Sequence, residues 1–148
     1  YIQFAPYVRE YRDLAGEAAI GVIGSATFNV ILNERGLEWI KKFKERWGYE
    51  PGIQNGAALY DHIHIYAEAA KKAGNIEDHR AIARAIDEID YAGVAGRYVF
   101  DPETRTAKSG ADYLPLITFQ IWDGNIYMIR PKAYSVSEFR VPPWVATT

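Results

Sequence analysis

The sequence has no cysteine and a single methionine among its 148 residues. The missing cysteines exclude a disulfide framework, a zinc–cysteine site and thiolate catalysis, although they do not fix a compartment. No apolar run is long enough to span a bilayer, and no signal-peptide pattern opens the chain. An excess of one charge is also lacking, since the formal net charge is -2. Lys41, Lys42, Lys44 and Arg46 alternate with Glu38 and Glu45, which reads as a solvated helix face and not as a nucleic-acid footprint. HExxH, GxSxG and GxGxxG are absent. GVIGSA and YAGVAG lack the lysine and the spacing of a phosphate loop.

Catalytic constellations are equally scarce. His62 and His64 stand two apart, about 200° around a helix, whereas a helical metal pair stands four apart. Asp61 beside His62 is a neighbour and not a dyad. Ser25 after Gly24 has no base identified by sequence. Glu77-Asp78 and Asp87-Glu88 fall on exposed helix faces. The residues motivate neither an enzyme nor a metal or other cofactor.

Hydrophobic residues make up 49% and charged residues 24%, a globular balance that argues against disorder. A chain of this length has room for one domain with a proper core. It starts at Tyr1 within an apolar patch, YIQFAPYV, as expected of a mature or cut fragment; the absent targeting signal then says little about a parent protein. Tyr1, Phe4, Tyr7 and Tyr11 are either a patch once covered by further chain or part of a cleft wall.

The organising stretch is GYEPGIQNGAALYDHIHIYAEAAKKAG, from Gly48 to Gly74. Gly48, Pro51 and Gly52 punctuate its start, and a helical period sets in near Ala57. Leu59, Ile63, Tyr66 and Ala70 recur at three and four, which predicts that this face is buried against something large; Ala58, Ala69 and Ala70 permit close approach. Gln54 and Asn55 precede the helix, where Asn55 either caps it or offers its side chain to a ligand.

Around this stretch, Ile20, Val22 and Ile23 predict a short strand ended by Gly24 and Ser25. A helix is predicted over 34–47, capped by Asn33, with Leu37, Ile40, Phe43 and Trp47 on its apolar stripe. Another is predicted over 76–89, with a capping-box-like Asn75 and Asp78 at its start and Ile82, Ile86 and Ile89 on one face. Arg97 to Phe100 reads as a strand, Asp101-Pro102 as a turn, and 103–112 as a surface loop. LITFQIW and NIYMIR alternate about Asp123-Gly124, a pair suited to a type I′ hairpin. Pro142-Pro143-Trp144 predicts an extended segment laid across the body. The order is α/β with too few strands to close a doubly wound sheet.

LAGEAAIGVIGSATF, KKFKERWGYEP, AALYDHIHIYAEAAKKAG, GVAGRYVFDPETR and ITFQIWDGNIYMIRP occur in an order and spacing that resemble the carboxyl-terminal part of the type I periplasmic solute-binding proteins of ABC importers. The resemblance is to the group that serves branched-chain amino acids, amides, urea and aromatic acids. It implies two lobes, each a parallel sheet sandwiched by helices, that enclose a ligand, with the hairpin near the end. Residues 1–24 would end the second lobe, 25–100 would return through the hinge and supply helices of the first lobe, and 101–148 would give the final crossing, hairpin and tail. The first-lobe loop that grips a carboxylate would lie outside this chain.

Residue by residue, the resemblance places Asn55, with Gln54 beside it, at the cleft position before the central helix, where the family often has an aromatic. Phe4 falls near the position that is acidic in amino-acid binders. Tyr1 joins the cleft wall, and Ser25 and Phe28 reach the cleft edge. The non-acidic Phe4 tilts the implied ligand toward an aromatic acid, amide or urea-like solute. The implied partners are a small solute and a membrane permease, with no nucleic acid and no cofactor. The implied compartment is periplasmic or extracytoplasmic, with a lipid anchor on a preceding segment as one option. Alternatives are a ligand-sensing module of the same fold and a fragment that forms a homodimer without a transport role.

Overall fold

A computed structural model describes residues 5–27, 32–52 and 55–145. The chain is α/β and divides into two compact units, one formed by 1–27 with 116–148 and the other by 28–115.

The first unit is built on a hairpin. Strands β4 (Ile117–Trp122) and β5 (Asn125–Arg130) pair antiparallel, and the short strand β1 (Ile23–Ala26) adds to the other edge of β4, giving the order β1-β4-β5. Asp123 and Gly124 carry φ of +51° and +73° at the turn. Both central residues are therefore left-handed, as the type I′ reading of Asp-Gly requires. The ladder carries an irregularity between Thr118 and Phe119. Tyr7, Ile117, Phe119 and Ile121 form the core, with the Tyr7 and Phe119 rings 5.4 Å apart.

Gln120 points to the other face of β4 and is fully buried. The tail buries it and satisfies it at once. Its Nε2 donates to Arg140 O at 2.7 Å and to Gly21 O at 3.3 Å, and its Oε1 accepts from Arg140 N at 2.9 Å. Pro142 closes against Gly21, where a Cβ would meet the Pro142 ring at 2.5 Å, and Trp144 Nε1 donates to Ile20 O at 2.8 Å. The tail does lie against the sheet, but Pro142-Pro143-Trp144 is not extended as expected: Val145 N donates to Pro142 O at 3.0 Å and closes a turn there. The predicted first strand is displaced: residues 16–19 wind into a 3₁₀ turn, Gly21 takes φ +82°, and Gly24 and Ser25 are inside β1 instead of ending it. The turn consumes Ile20 before any pairing with β4 can begin. Helix α1 (Arg9–Ala15), with no buried residue, is an element that the aromatic opening did not reveal.

The second unit packs helices onto a small hairpin. Helix α2 (Glu34–Trp47) has the predicted bounds, and Asn33 caps it by accepting from Gly36 N at 2.8 Å. Helix α3 (Asn55–Ala73) precedes helix α4 (His79–Asp87) and the two-stranded antiparallel pair β2 (Asp90–Ala92) and β3 (Arg97–Val99). Asp78 caps α4 by accepting from Ala81 N, while Asn75 accepts from Glu77 N in a turn before it. The expected start at Ile76 therefore moves three residues on. Asp101 holds the turn after β3 by accepting from Glu103 N, Thr104 N and Thr104 Oγ1, which keeps its carboxyl below the usual range.

The buried stripe of α3 organises this unit, and it is not the stripe that side-chain size predicts. Leu59, Ile63 and Tyr66 are 62%, 68% and 47% exposed, whereas Ala57, Asp61, Ile65 and Ala69 are buried. Each of these four, one turn apart, meets a different part of the core. Ala57 lies with Val94 and Ala95 against Trp39 and Ile40, Ile65 with Tyr98 and Leu114, and Ala69 with Ile82 and Ala85 of α4. Small residues win this face because the partners are backbone turns and another helix at close range. Trp39, not Leu37 or Trp47, is the tryptophan that seals α2 to it; Leu37 and Trp47 are about half exposed.

Asp61 supplies the polar step of the stripe. It is fully buried, and the N–H groups of Val94 and Ala95 each donate to one of its oxygens at 2.8 Å. A side chain on Gly93 would approach its carboxylate to 2.4 Å, so only glycine fits. Asn33 Nδ2 donates to Val94 O at 3.0 Å and Arg35 Nη1 to Ala92 O at 2.5 Å, so α2 and α3 grip the same β2–β3 turn. All ladders among the described residues are antiparallel, with one isolated parallel bridge between Ser109 and Leu114.

Candidate functional site

Two of the six sequence-predicted site residues are within the described structure. Asn55 is the first residue of α3 and is exposed. The preceding turn sets its position: Pro51 is buried, and Gly56 N donates to Gly52 O at 2.9 Å. Gln54 lies outside the described residues, and the Asn55 amide offers both a donor and an acceptor at the start of a 19-residue helix. Unpaired N–H groups and the helix dipole favour a partially negative group at such a terminus. Gly56 faces Trp39, whose indole a Cβ at that position would meet at an ordinary contact distance of 3.7 Å.

Ser25 belongs to the other unit. It sits in the edge strand β1 opposite Thr118, half-buried, with Gly24 and Ala26 directed into the core on either side of it. None of the three histidines is in its unit. This leaves the hydroxyl a donor and acceptor without a histidine base in that unit. Tyr1, Phe4 and Phe28, like Gln54, lie outside the described residues. Tyr7, the remaining aromatic of the possible cleft wall, is 1% exposed and belongs to the core. Burial pushes its phenol well above the ordinary tyrosine range, against a smaller opposing effect of Arg12.

The other titratable groups are structural in character. His64 stacks near Tyr60 at 4.5 Å, and His62 approaches the Tyr98 ring edge-on at 5.8 Å. No group of three or more potential ligands among the described residues could hold a metal ion. Tyr98 is buried, and that burial, with the adjacent Asp61 carboxylate, raises its phenol strongly. Arg97 makes a two-point contact to Asp90 at 2.7 and 2.5 Å, and this hydrogen bonding holds the Asp90 carboxyl below its ordinary range.

Sequence reading passed over two features. Arg12 and Trp122, both in the first unit, have a side-chain N–H (Nε and Nε1) that is buried without a hydrogen-bond partner among the described residues. Desolvation lowers the Arg12 pKa. Helical spacing held the only available signal for Arg12, and the element that carries it, α1, was not legible. The second is a run of rings along α2 and α3, in which Trp39 contacts Phe43 at 5.6 Å and Tyr60 at 5.8 Å, and Phe43 contacts Tyr49 at 5.5 Å. Within the second unit, the exposed Asn55 amide and the ring surface are groups of the kind that hold a small solute by hydrogen bonding and stacking. They assemble no nucleophile with a base.

A family model described as periplasmic binding protein matches residues 6–114. Comparison with curated protein sequences gives no match. Among solved structures, a protein from Silicibacter pomeroyi assigned as a branched-chain amino acid ABC transporter is 26% identical with a TM-score of 0.81, over 97% of this chain and 40% of its own. One with the same assignment from Rhodospirillum rubrum is 28% identical with a TM-score of 0.63, over 86% and 36%. An ABC-transporter solute-binding protein from Rhodopseudomonas palustris BisB5, in complex with 3,4-dihydroxybenzoic acid, is 25% identical with a TM-score of 0.58, over 86% and 34%. The chain therefore spans 40% or less of these structures, and its architecture is a part of the type I periplasmic binding fold that includes the hairpin.

Proposed function

This chain belongs to the periplasmic binding protein family, and we propose that it forms part of a two-lobed solute-binding protein that delivers a small molecule to an ABC permease. The observation that carries this reading is the agreement of nearly the whole chain with a transporter component at a TM-score of 0.81. The family is one of solute-binding proteins and not of enzymes, and it is extracytoplasmic. No described helix is long and apolar enough to cross a membrane. In this reading, residues 1–24 end the second lobe, 25–100 contribute the hinge return and the helices of the first lobe, and 101–148 cross back into the hairpin and tail. Closure of the lobes around the solute then presents both to the permease.

The solute is an aromatic acid, an amide or a urea-like molecule in preference to an amino acid with its ammonium group. Asn55 is suited to it, because an exposed amide at a helix start offers a donor and an acceptor without a charge. Phe4, Tyr1 and Phe28 would supply apolar wall, and Ser25 and Gln54 further hydrogen bonds. The dihydroxybenzoate complex of the Rhodopseudomonas palustris relative supports this choice of ligand class.

Calorimetric titration of the protein with 3,4-dihydroxybenzoate, acetamide and leucine tests it. The expected order puts the aromatic acid or the amide ahead of leucine, with Asn55→Ala weakening the preferred ligand about tenfold, the equivalent of ~1.4 kcal/mol. Tighter binding of leucine would overturn the ligand class. An unchanged affinity in the variant would remove Asn55 from the site.

A further inference from the structure

Where β5 ends, the chain does not leave the sheet directly. Residues 132–134 make a 3₁₀ turn, and the N–H groups of Val136 and Ser137 both return to Met128 O, at 2.9 and 3.3 Å. Four residues on, buried Gln120 fixes Arg140 through both its N–H and its carbonyl. The Arg140 guanidinium also lies over the Trp122 and Tyr127 rings, at 5.4 and 5.7 Å. The segment between these two anchor points is therefore held at both ends. Between it and the end of β5 is a cavity of about 640 Å³, contained within the first unit.

Its lining is chemically uneven. Arg130 and Lys132 bring two cations, and neither has an ion-pair partner among the described residues. Glu138 is the single carboxylate, which leaves the lining with net positive charge. Ser135 and Ser137 spend their hydroxyl protons on the carbonyls of Ser137 and Glu138, at 2.9 and 3.1 Å, so toward the cavity they act as acceptors or water anchors. Buried Ile129 and half-exposed Phe139 supply an apolar surface. A volume of this size suits a small organic molecule. Arginine and lysine donors suit a carboxylate or a phosphate alike, so it is the apolar wall that favours an organic carboxylate over inorganic phosphate, and a wall pinned at both ends costs little to order on binding.

We propose that this cavity at the end of β5 binds a small organic anion, with a carboxylate on Arg130 and Lys132 and an apolar body against Ile129 and Phe139. The inference is independent of the solute-transport reading, because the site's lining lies within residues 129–139 and includes none of the residues assigned to the cleft. The site is open, so its ionic component is screened, and binding weakens as salt is raised.

Benzoate titrated into isotopically labelled protein and followed by amide resonances tests the proposal, with neutral benzamide and inorganic phosphate as comparison probes. Expected are saturable shifts confined to residues 129–139 for benzoate, at least tenfold weaker binding of benzamide and phosphate, and a loss of about tenfold in benzoate affinity for Lys132→Gln. Lys132 is exposed, so this variant leaves the fold intact, and Arg130→Gln is a second arm with the same expectation. No saturable shift, equal binding of benzamide, tighter binding of phosphate, shifts that cluster at Asn55 or Ser25, or unaltered affinity in both variants would each overturn it.

Discussion

The β4–β5 hairpin and helix α3 are both amphipathic by sequence, yet only the hairpin buries the face that its large residues mark. In β4, Ile117, Phe119 and Ile121 alternate and are all fully buried. In α3 the large residues Leu59, Ile63 and Tyr66 are outside, and a stripe of alanine, aspartate and isoleucine is inside. A strand has two faces and neighbours at a fixed spacing, so apolar bulk and burial coincide. A helix has several usable stripes, and the one that is buried depends on how closely its neighbours approach. On α3 the neighbours are the β2–β3 turn and α4, and they leave room only for small side chains or for a carboxylate that satisfies the turn.

This contrast is broken most severely at Asp61. Asp61→Ala strands the Val94 and Ala95 N–H groups in a fully buried position. The expected loss is about 3–5 kcal/mol, from two unsatisfied donors and the loss of a charge-assisted interaction. Urea unfolding at neutral pH measures it. A loss under about 1 kcal/mol would mean that water reaches the turn and that Asp61 does not hold it. Next in size is overpacking of the alanine positions. Ala57→Leu places three more carbons at a site with no exposure, against Val94, Ala95 and Trp39, and should cost about 1–3 kcal/mol.

Alkaline pH sharpens the comparison between units. Tyr7 in the hairpin unit and Tyr98 in the helical unit are both raised above the unfolded tyrosine value of about 10. As pH rises past that value, the unfolded chain loses these protons first. The stability they contribute is complete below about pH 10 and falls above it, by ~1.4 kcal/mol per pH unit for each tyrosine. Tyr98→Phe should remove the part of the alkaline slope that belongs to the helical unit. An unchanged slope between pH 10 and 11.5 would show that Tyr98 ionises as freely in the fold as outside it. In the hairpin, Gly124→Ala forces a side chain onto φ +73° and should cost about 1 kcal/mol without altering the strand pairing.

Legibility followed the same division. The hairpin with its Asp-Gly turn and helix α2 with its Asn33 cap were readable because each rests on a local signal, alternation in one and a cap in the other. Strand β2 was not, since Asp90 to Ala92 is three residues long and derives its order from pairing with β3 and from the Arg97–Asp90 contact. The buried aspartate of α3 was visible only as half of a Tyr-Asp pair; its partners are 33 and 34 residues away. At the candidate site, sequence placed Asn55 at a helix start. It did not foresee that burial of Tyr7 removes that ring from the possible wall, or that Trp39 rather than Leu37 faces Gly56.

The smallest expected effect is the most direct test of the inverted helix. Ile63 is the most exposed large residue of α3, at 68%, and the sequence pattern places it in the middle of the apolar face. Isoleucine and serine have similar helix propensities, so Ile63→Ser changes little except the side chain's contacts with its surroundings. If the observed stripe is the packed one, this loss of a large apolar group should shift stability by less than about 0.5 kcal/mol, as for other exposed positions. Ala57→Leu, which adds apolar surface six residues earlier, should destabilise by several times more. A cost above about 2 kcal/mol for Ile63→Ser would mean that the face is covered in solution, and the size-based reading of the helix would then be correct. The two variants, measured side by side in urea, therefore decide which stripe of α3 the rest of its unit is packed against.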